Sequence, residues 1–163
     1  MNVVADTSPI CHLVRIQQSH VLSELFGQIV VPSQVVNELS HLHAPLDVRS
    51  FIANPPAWLS VQTLNHITPI PVLDPGEEAA INLAFEIKAD FLFMDEKTGR
   101  RIAANPPWNL NVLGTLGILE MAANNGLLSL RSALKKLLDS HFYVNPTIIQ
   151  NMLEKHKNNI HHQ

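Results

Sequence analysis

The sequence predicts an α/β domain, a parallel sheet covered by helices on both faces, and three observations lead to it. At 163 residues the chain fits one domain of the usual ~150 residues. Short apolar runs alternate with amphipathic segments along the chain. The runs themselves, such as Phe91-Leu92-Phe93-Met94, lack polar alternation, the pattern of strands buried on both faces. The domain is expected over residues 1–155, followed by a polar tail at 156–163.

Residues 2–5 open the chain as a short apolar strand. Ser8-Pro9 reads as an N-cap followed by proline at the first helical position, starting a helix through Leu13 and Ile16. A second helix over about 20–26 stops at Gly27. Residues 28–31 are strand-like, and Pro32-Ser33 begins a helix with Val35, Val36 and Leu39 on its apolar face. Prolines 45, 55, 56, 69 and 71 bracket a looser middle, with a short helix near 47–53 and a strand near 58–62. Asp74-Pro75-Gly76-Glu77 opens a helix to about residue 88: aspartate at the N-cap, proline at N1 and glutamate at N3 form a capping box. A buried strand at 91–94 ends at Asp95, and a short helix runs through Arg101. Residues 112–113 form the last strand, and helices are expected over 116–125, 130–138 and 146–155.

Composition narrows the function. Charged residues are 15% against the usual ~25%, and the net charge of −3 provides no global field for nucleic acid. A nucleic-acid partner would have to be held by local charge or a bound cation. Cys11 is the only cysteine, which excludes an internal disulfide and a Cys-rich zinc framework. It reads as a small core residue. The nine histidines lack His-Glu-x-x-His spacing; His41 and His43, two apart, would point to different sides of a helix, and His156, His161 and His162 fall in the polar tail. No basic and apolar leader and no apolar stretch of ~18 residues is evident, so a soluble, cytoplasmic protein without membrane contact is expected.

Chemistry in a parallel sheet collects at the carboxyl ends of the strands, where strand order switches. Asp6 and Asp95 each follow an apolar strand at such an end. With Glu38 and Glu77 they are the acids to weigh, because hard divalent cations take oxygen ligands from a few carboxylates and water. Each has a plainer reading: Asp6 as a helix cap, Glu38 as a solvated side chain, Glu77 as the capping-box acid. Glu78 is the fallback for Glu77, and Glu96 for Asp95. Lys97, Arg100 and Arg101 follow Asp95, as a solvated helix face or as contacts for an RNA backbone. Arg15 and Arg49 are weaker candidates for the same role, and Trp58 and Trp108 stand among prolines that favour packing over base stacking.

The segments Val4-Ala5-Asp6-Thr7-Ser8-Pro9, Val31-Pro32-Ser33-Gln34-Val35-Val36-Asn37-Glu38-Leu39 and Leu73-Asp74-Pro75-Gly76-Glu77 come in this order. They are followed by Phe91-Leu92-Phe93-Met94-Asp95, Arg100-Arg101 and Val112-Leu113-Gly114-Thr115-Leu116-Gly117. From Val3 to about Leu153 the chain thereby resembles the PIN-domain family of metal-dependent ribonucleases, which includes VapC-like toxins of toxin–antitoxin pairs. Asp-Thr-Ser-Pro with Leu-Asp-Pro-Gly-Glu resembles a less characterised branch. The resemblance implies a three-layer α/β/α fold with a central, mainly parallel sheet and a helical C-terminal extension. It implies Asp6, Glu38, Glu77 and Asp95 as the catalytic acids, with Asp6, Glu77 and Asp95 binding Mg2+ or Mn2+ and Glu38 a ligand or an acid behind the ligands. RNA is the implied substrate, an antitoxin protein a partner, and a homodimer through the helices an expected assembly. One departure is Phe93, where many toxin-type members carry a hydroxyl two positions before the fourth acid. Thr7 or Thr115 is expected to supply that hydroxyl. Two rival readings are a catalytically silent PIN-like binding or regulatory module and an aspartyl-nucleophile phosphatase, the latter disfavoured by Ser8 where Asp-x-Asp needs its second acid.

Overall fold

A computed structural model describes residues 1–161. Five strands and nine helices alternate along them: β1 (Val3–Ala5), α1 (Thr7–Arg15), α2 (Val21–Phe26), β2 (Ile29–Pro32), α3 (Ser33–Leu39), α4 (Leu46–Ala53) and β3 (Leu59–Gln62) form the first half. The second half holds α5 (Pro75–Glu86), β4 (Phe91–Phe93), α6 (Lys97–Ala104), β5 (Val112–Leu113), α7 (Thr115–Asn124), α8 (Leu130–Asp139) and α9 (Pro146–His161). The strands pair in the order β3-β2-β1-β4-β5, and every pairing is parallel. The chain builds outward from β1 to β3, then returns to add β4 on the other side. The switch in strand order therefore falls between β1 and β4, where Val3, Val4 and Ala5 face Phe91, Leu92 and Phe93.

Both faces of the sheet are buried, which explains the unbroken apolar strands. Side chains alternate between faces with a period of two. Val3, Ala5, Ile29, Val31 and Phe93 join one core with α1, α2, α3, α7 and α8. Val4, Leu92 and Met94 join another, built on Ala80, Ile81, Leu83 and Ala84 of α5 and Ala103 of α6. Phe93 is fully buried and meets Phe26 edge-on at 4.9 Å, an aromatic contact worth about 1 kcal/mol beyond its area. The side chain at position 93, where the resemblance leads one to expect a hydroxyl, thus serves the core. Ile118, Leu119, Leu134, Leu137, Ile149 and Met152 bury the helical C-terminal extension against the first core.

Local signals account for most boundaries. The capping box forms as read: the Glu77 amide donates to Asp74 Oδ1 at 2.8 Å, and the Asp74 amide donates to Glu77 Oε2 at 3.2 Å. Gly27 has φ of 78° beyond α2, a conformation glycine adopts without strain. Three boundaries differ from the sequence reading. Helix α1 starts at Thr7, so Asp6 rather than Ser8 holds the N-cap position, and its side chain makes no cap hydrogen bond. Helix α7 starts at Thr115 rather than 116, with Gly114 at its N-cap position. Helix α9 continues to His161, six residues past the expected end at 155; His162 lies outside the described residues. His41 and His43 also sit in the turn beyond α3 rather than on it, so their rings come together at 5.0 Å instead of diverging. No helix among the described residues is long and apolar enough to cross a membrane.

Candidate functional site

Asp6 leaves β1 at the switch point, anchored by its amide donating to the Phe93 carbonyl of β4 at 2.9 Å. Only 2% of Asp6 is exposed, and its Oδ1 is buried without a hydrogen-bond partner. An ionised carboxylate in that position is costly. Burial pushes its pKa from 3.8 to about 7, opposed by the Thr7 amide and reinforced by the carboxylates of Asp74, Glu77 and Glu38. The structure therefore brings Glu38 and Glu77 into the electrostatic neighbourhood of Asp6. It adds Asp74, which the sequence reading treated as a cap alone.

Each neighbour is held by its own hydrogen bonds. Glu38 projects from α3; its Oε2 accepts from the Thr7 hydroxyl and its Oε1 from the Gly76 amide at 3.0 Å. The glycine makes room for this docking, because a Cβ at position 76 would lie 2.5 Å from both Glu38 oxygens and the carboxylate would have to move aside. The Leu-Asp-Pro-Gly-Glu motif thus has a long-range purpose: its glycine lets the Glu38 carboxylate dock on the first turn of α5. Burial, with Asp74 and Glu96 adding repulsion, raises the Glu77 pKa above the ordinary value, while its hydrogen bond from the Asp74 amide opposes the rise. Glu78 is engaged elsewhere: its Oε2 accepts from the Ile70 amide at 2.8 Å, beside Asn82, which clamps Thr68 through both its amide and its carbonyl.

Asp95 follows β4 on the neighbouring strand end, but its carboxylate turns onto α7. Its Oδ1 accepts from the Thr115 amide at 2.7 Å and its Oδ2 from the Thr115 hydroxyl at 2.6 Å. Thr115 is fully buried, so this pair fixes the orientation of Asp95. Glu96 beside it is the N-cap of α6: the Thr98 and Gly99 amides donate to it at 3.0 and 2.6 Å, and these bonds hold its pKa below the ordinary value. It is thereby occupied as a cap. Burial lowers the pKa of His12 on α1, partly offset by the nearby Asp95 carboxylate. Burial likewise raises the Cys11 thiol, which packs against the first core.

The basic trio lies on α6. Lys97 and Arg101 are exposed and four residues apart, on one helix face. Arg100 is half-buried; its Nη1 donates to the Met94 carbonyl at 3.4 Å and passes so closely over Gly114 that a Cβ there would collide with it. Arg15 is exposed on α1, and Arg49 on α4 has a buried Nε without a hydrogen-bond partner. Gly76, Gly114 and Asp74 are the positions that sequence reasoning missed. Their only signals were a cap motif and a Gly-Thr pair, and neither names a partner such as Glu38, 38 residues before Gly76, or Arg100, 14 before Gly114.

Oxygen donors suit a hard divalent cation, and the orphaned Asp6 oxygen is a buried acceptor in need of one. Among the described residues, however, no three Asp, Glu, His or Cys side chains gather closely enough to hold an ion by themselves. Asp6, Glu77 and Asp95 are distributed between the α5 cap and the α7 N-terminus. A divalent cation held by carboxylates so distributed would have to draw the rest of its oxygen shell from water or another ligand.

Comparison with known proteins agrees with this architecture. A PilT N-terminus domain protein from the hyperthermophilic archaeon Sulfolobus solfataricus P2 has a similar structure, with a TM-score of 0.51 and 17% identity over 89% of this chain and 100% of that one. At that identity the likeness concerns the fold. A search of curated proteins gives no match. The family described as DUF3368: PIN domain matches residues 2–158. Its match spans all five strands and the positions of Asp6, Glu38, Glu77 and Asp95, and the chain belongs to the PIN-domain family.

Proposed function

We propose that the protein is a Mg2+- or Mn2+-dependent ribonuclease that hydrolyses RNA phosphodiester bonds. PIN domains are generally nucleases, and one observation carries the reading to this chain: a carboxylate buried at the switch point, with an unpartnered oxygen and three further acids around it. Such a group needs a proton or a cation, and as pH rises past about 7 the proton is lost and a cation would balance the charge. The ion would rest on Asp6, with Glu77 or Asp95 and water completing its shell. When bound, it would lower the pKa of a water and neutralise charge on the phosphoryl oxygens.

The chain's own residues do the remainder. Thr7 and Gly76 hold the Glu38 carboxylate beside Asp6, ready to accept a proton from water or to orient it. Thr115 keeps Asp95 fixed through two hydrogen bonds, so that it need not reorganise as charge develops. Lys97 and Arg101 offer exposed cations to the RNA backbone, the contacts that give sequence-independent affinity. The family resemblance further supports a toxin held by an antitoxin protein in the cytoplasm, and a homodimer through the helices.

The test is manganese calorimetry on the wild type and on Asp6→Asn/Asp95→Asn, with single-stranded RNA cleavage measured in the same preparations. Ion binding and ion-stimulated cleavage in the wild type, both lost in the double variant, are expected. Neither binding nor cleavage in the wild type would overturn the ribonuclease and favour the catalytically silent module. Growth arrest on expression, relieved by Asp6→Asn, is the expected sign of a toxin.

A further inference from the structure

A cavity of about 280 Å³ opens beside Asp95, between the junction of β5 with α7 and residues 142–144. Its size is at the lower limit of small-molecule sites, suited to one planar ring system rather than an extended ligand. Two of its lining residues are chemically unspent. Tyr143, the only tyrosine, is 93% exposed, and among the described residues no aromatic ring pairs with it. The tryptophans, by contrast, are used in packing: Trp58 lies 6.1 Å from Phe51 and Trp108 5.4 Å from Phe85, ring to ring. The segment bearing Tyr143 is pinned, because its neighbour Phe142 turns inward and meets His12 edge-on at 4.9 Å.

Arg100 is the second. Its guanidinium lies over Gly114, where the missing side chain leaves it room, and no carboxylate ion-pairs with it among the described residues. One hydrogen bond, to the Met94 carbonyl, leaves most of its five donors free. A guanidinium facing a ring-sized cavity, with a tyrosine at the edge, matches the two halves of a nucleotide: phosphate for the fork of donors, base for the aromatic face.

We propose that this cavity is a nucleotide subsite, in which Tyr143 stacks the base next to the cleaved phosphodiester and Arg100 binds that nucleotide's phosphate. The inference rests on the ribonuclease reading and adds to it a residue from the C-terminal extension, outside all the acid motifs. It also gives Arg100 a role distinct from Lys97 and Arg101, which lie open to solvent.

The experiment is fluorescence anisotropy with a fluorescein-labelled single-stranded RNA decamer, in EDTA to prevent cleavage, followed by cleavage kinetics in Mn2+. Tyr143→Ala is expected to weaken binding and raise KM by roughly 5- to 100-fold, as loss of one stacked base does, with kcat little changed. Tyr143→Phe keeps the ring and should bind as the wild type does. Since Tyr143 is solvent-exposed, its truncation leaves the core intact. Arg100→Gln should weaken binding and reduce the slope of log K against log salt by about 1. An abasic nucleotide walked along the RNA should find one position where Tyr143→Ala costs nothing further. If the wild type binds and cleaves RNA but Tyr143→Ala matches it at every position, the subsite is overturned and the ribonuclease stands. If the wild type neither binds nor cleaves RNA, both fall.

Discussion

Replacing Asp6 with asparagine in ion-free protein isolates the cost of holding a charge at the end of β1. The folded carboxyl has a pKa of about 7, against 3.8 for the ordinary group. The folded state therefore binds this proton more tightly than the unfolded state. The stabilisation is full below pH 3.8, declines as pH rises, and is gone once pH passes about 7. At about 1.36 kcal/mol per pKa unit, the whole span corresponds to roughly 4 kcal/mol, of which about 2–3 kcal/mol is lost between pH 5 and pH 8.5. Asparagine removes the titration but leaves one of its two buried polar atoms without a partner, as Oδ1 is in the wild type, a pH-independent cost of about 1–3 kcal/mol. The two proteins should be of similar stability near pH 5, with Asp6→Asn the more stable by about 2 kcal/mol at pH 8.5. Urea unfolding followed by circular dichroism in EDTA, at half-unit steps across that window, measures the difference. A difference that stays constant across the window would refute the reasoning, since only a titrating buried acid makes it vary. Manganese at pH 8 should then stabilise the wild type and not the variant, because a ligand of the folded state adds to stability by mass action.

Other substitutions separate the supporting residues from the acids. Thr115→Val should cost about 1–2 kcal/mol in urea unfolding through its lost hydrogen bond to Asp95, and should lower cleavage further than this destabilisation explains. Gly76→Ala should displace the Glu38 carboxylate; its loss of cleavage should equal that of Glu38→Gln, and the double variant should be no worse than either. Asp74→Ala should cost about 1 kcal/mol as a lost cap, and should move the pH-stability profile of the wild type downward because one carboxylate facing Asp6 is gone.

The elements were legible wherever a signal is local. The α5 capping box, the Gly27 stop and the apolar strands depend on residues a few positions apart, and each formed as read. The start of α1 was misread because Ser8-Pro9 satisfies a local rule equally well; what puts the boundary at Thr7 is the pairing of β1 with β4, almost ninety residues away. The site was less legible for the same reason. Acids at strand ends could be found from pattern, but Asp95 turning onto Thr115, Glu38 docking on Gly76 and Asp74 joining the neighbourhood of Asp6 are contacts between distant segments. Phe93 illustrates the limit from the other side: a departure from the family's pattern is, in the folded protein, a core side chain.

The all-parallel sheet also dictates when the acids can meet. During synthesis β1, β2 and β3 can assemble once residue 62 has emerged, leaving one edge of β1 bare. Its second neighbour, β4, does not exist until residue 93, and Thr115 follows later still. Translation at about 5–20 residues per second makes that a delay of seconds, during which an apolar strand edge waits for its partner. The arrangement slows folding through its long-range pairings. It also means that a nascent or truncated chain lacking the second half carries Asp6 and Glu38 without Asp74, Glu77 and Asp95, and without the Gly76 amide that holds the Glu38 carboxylate.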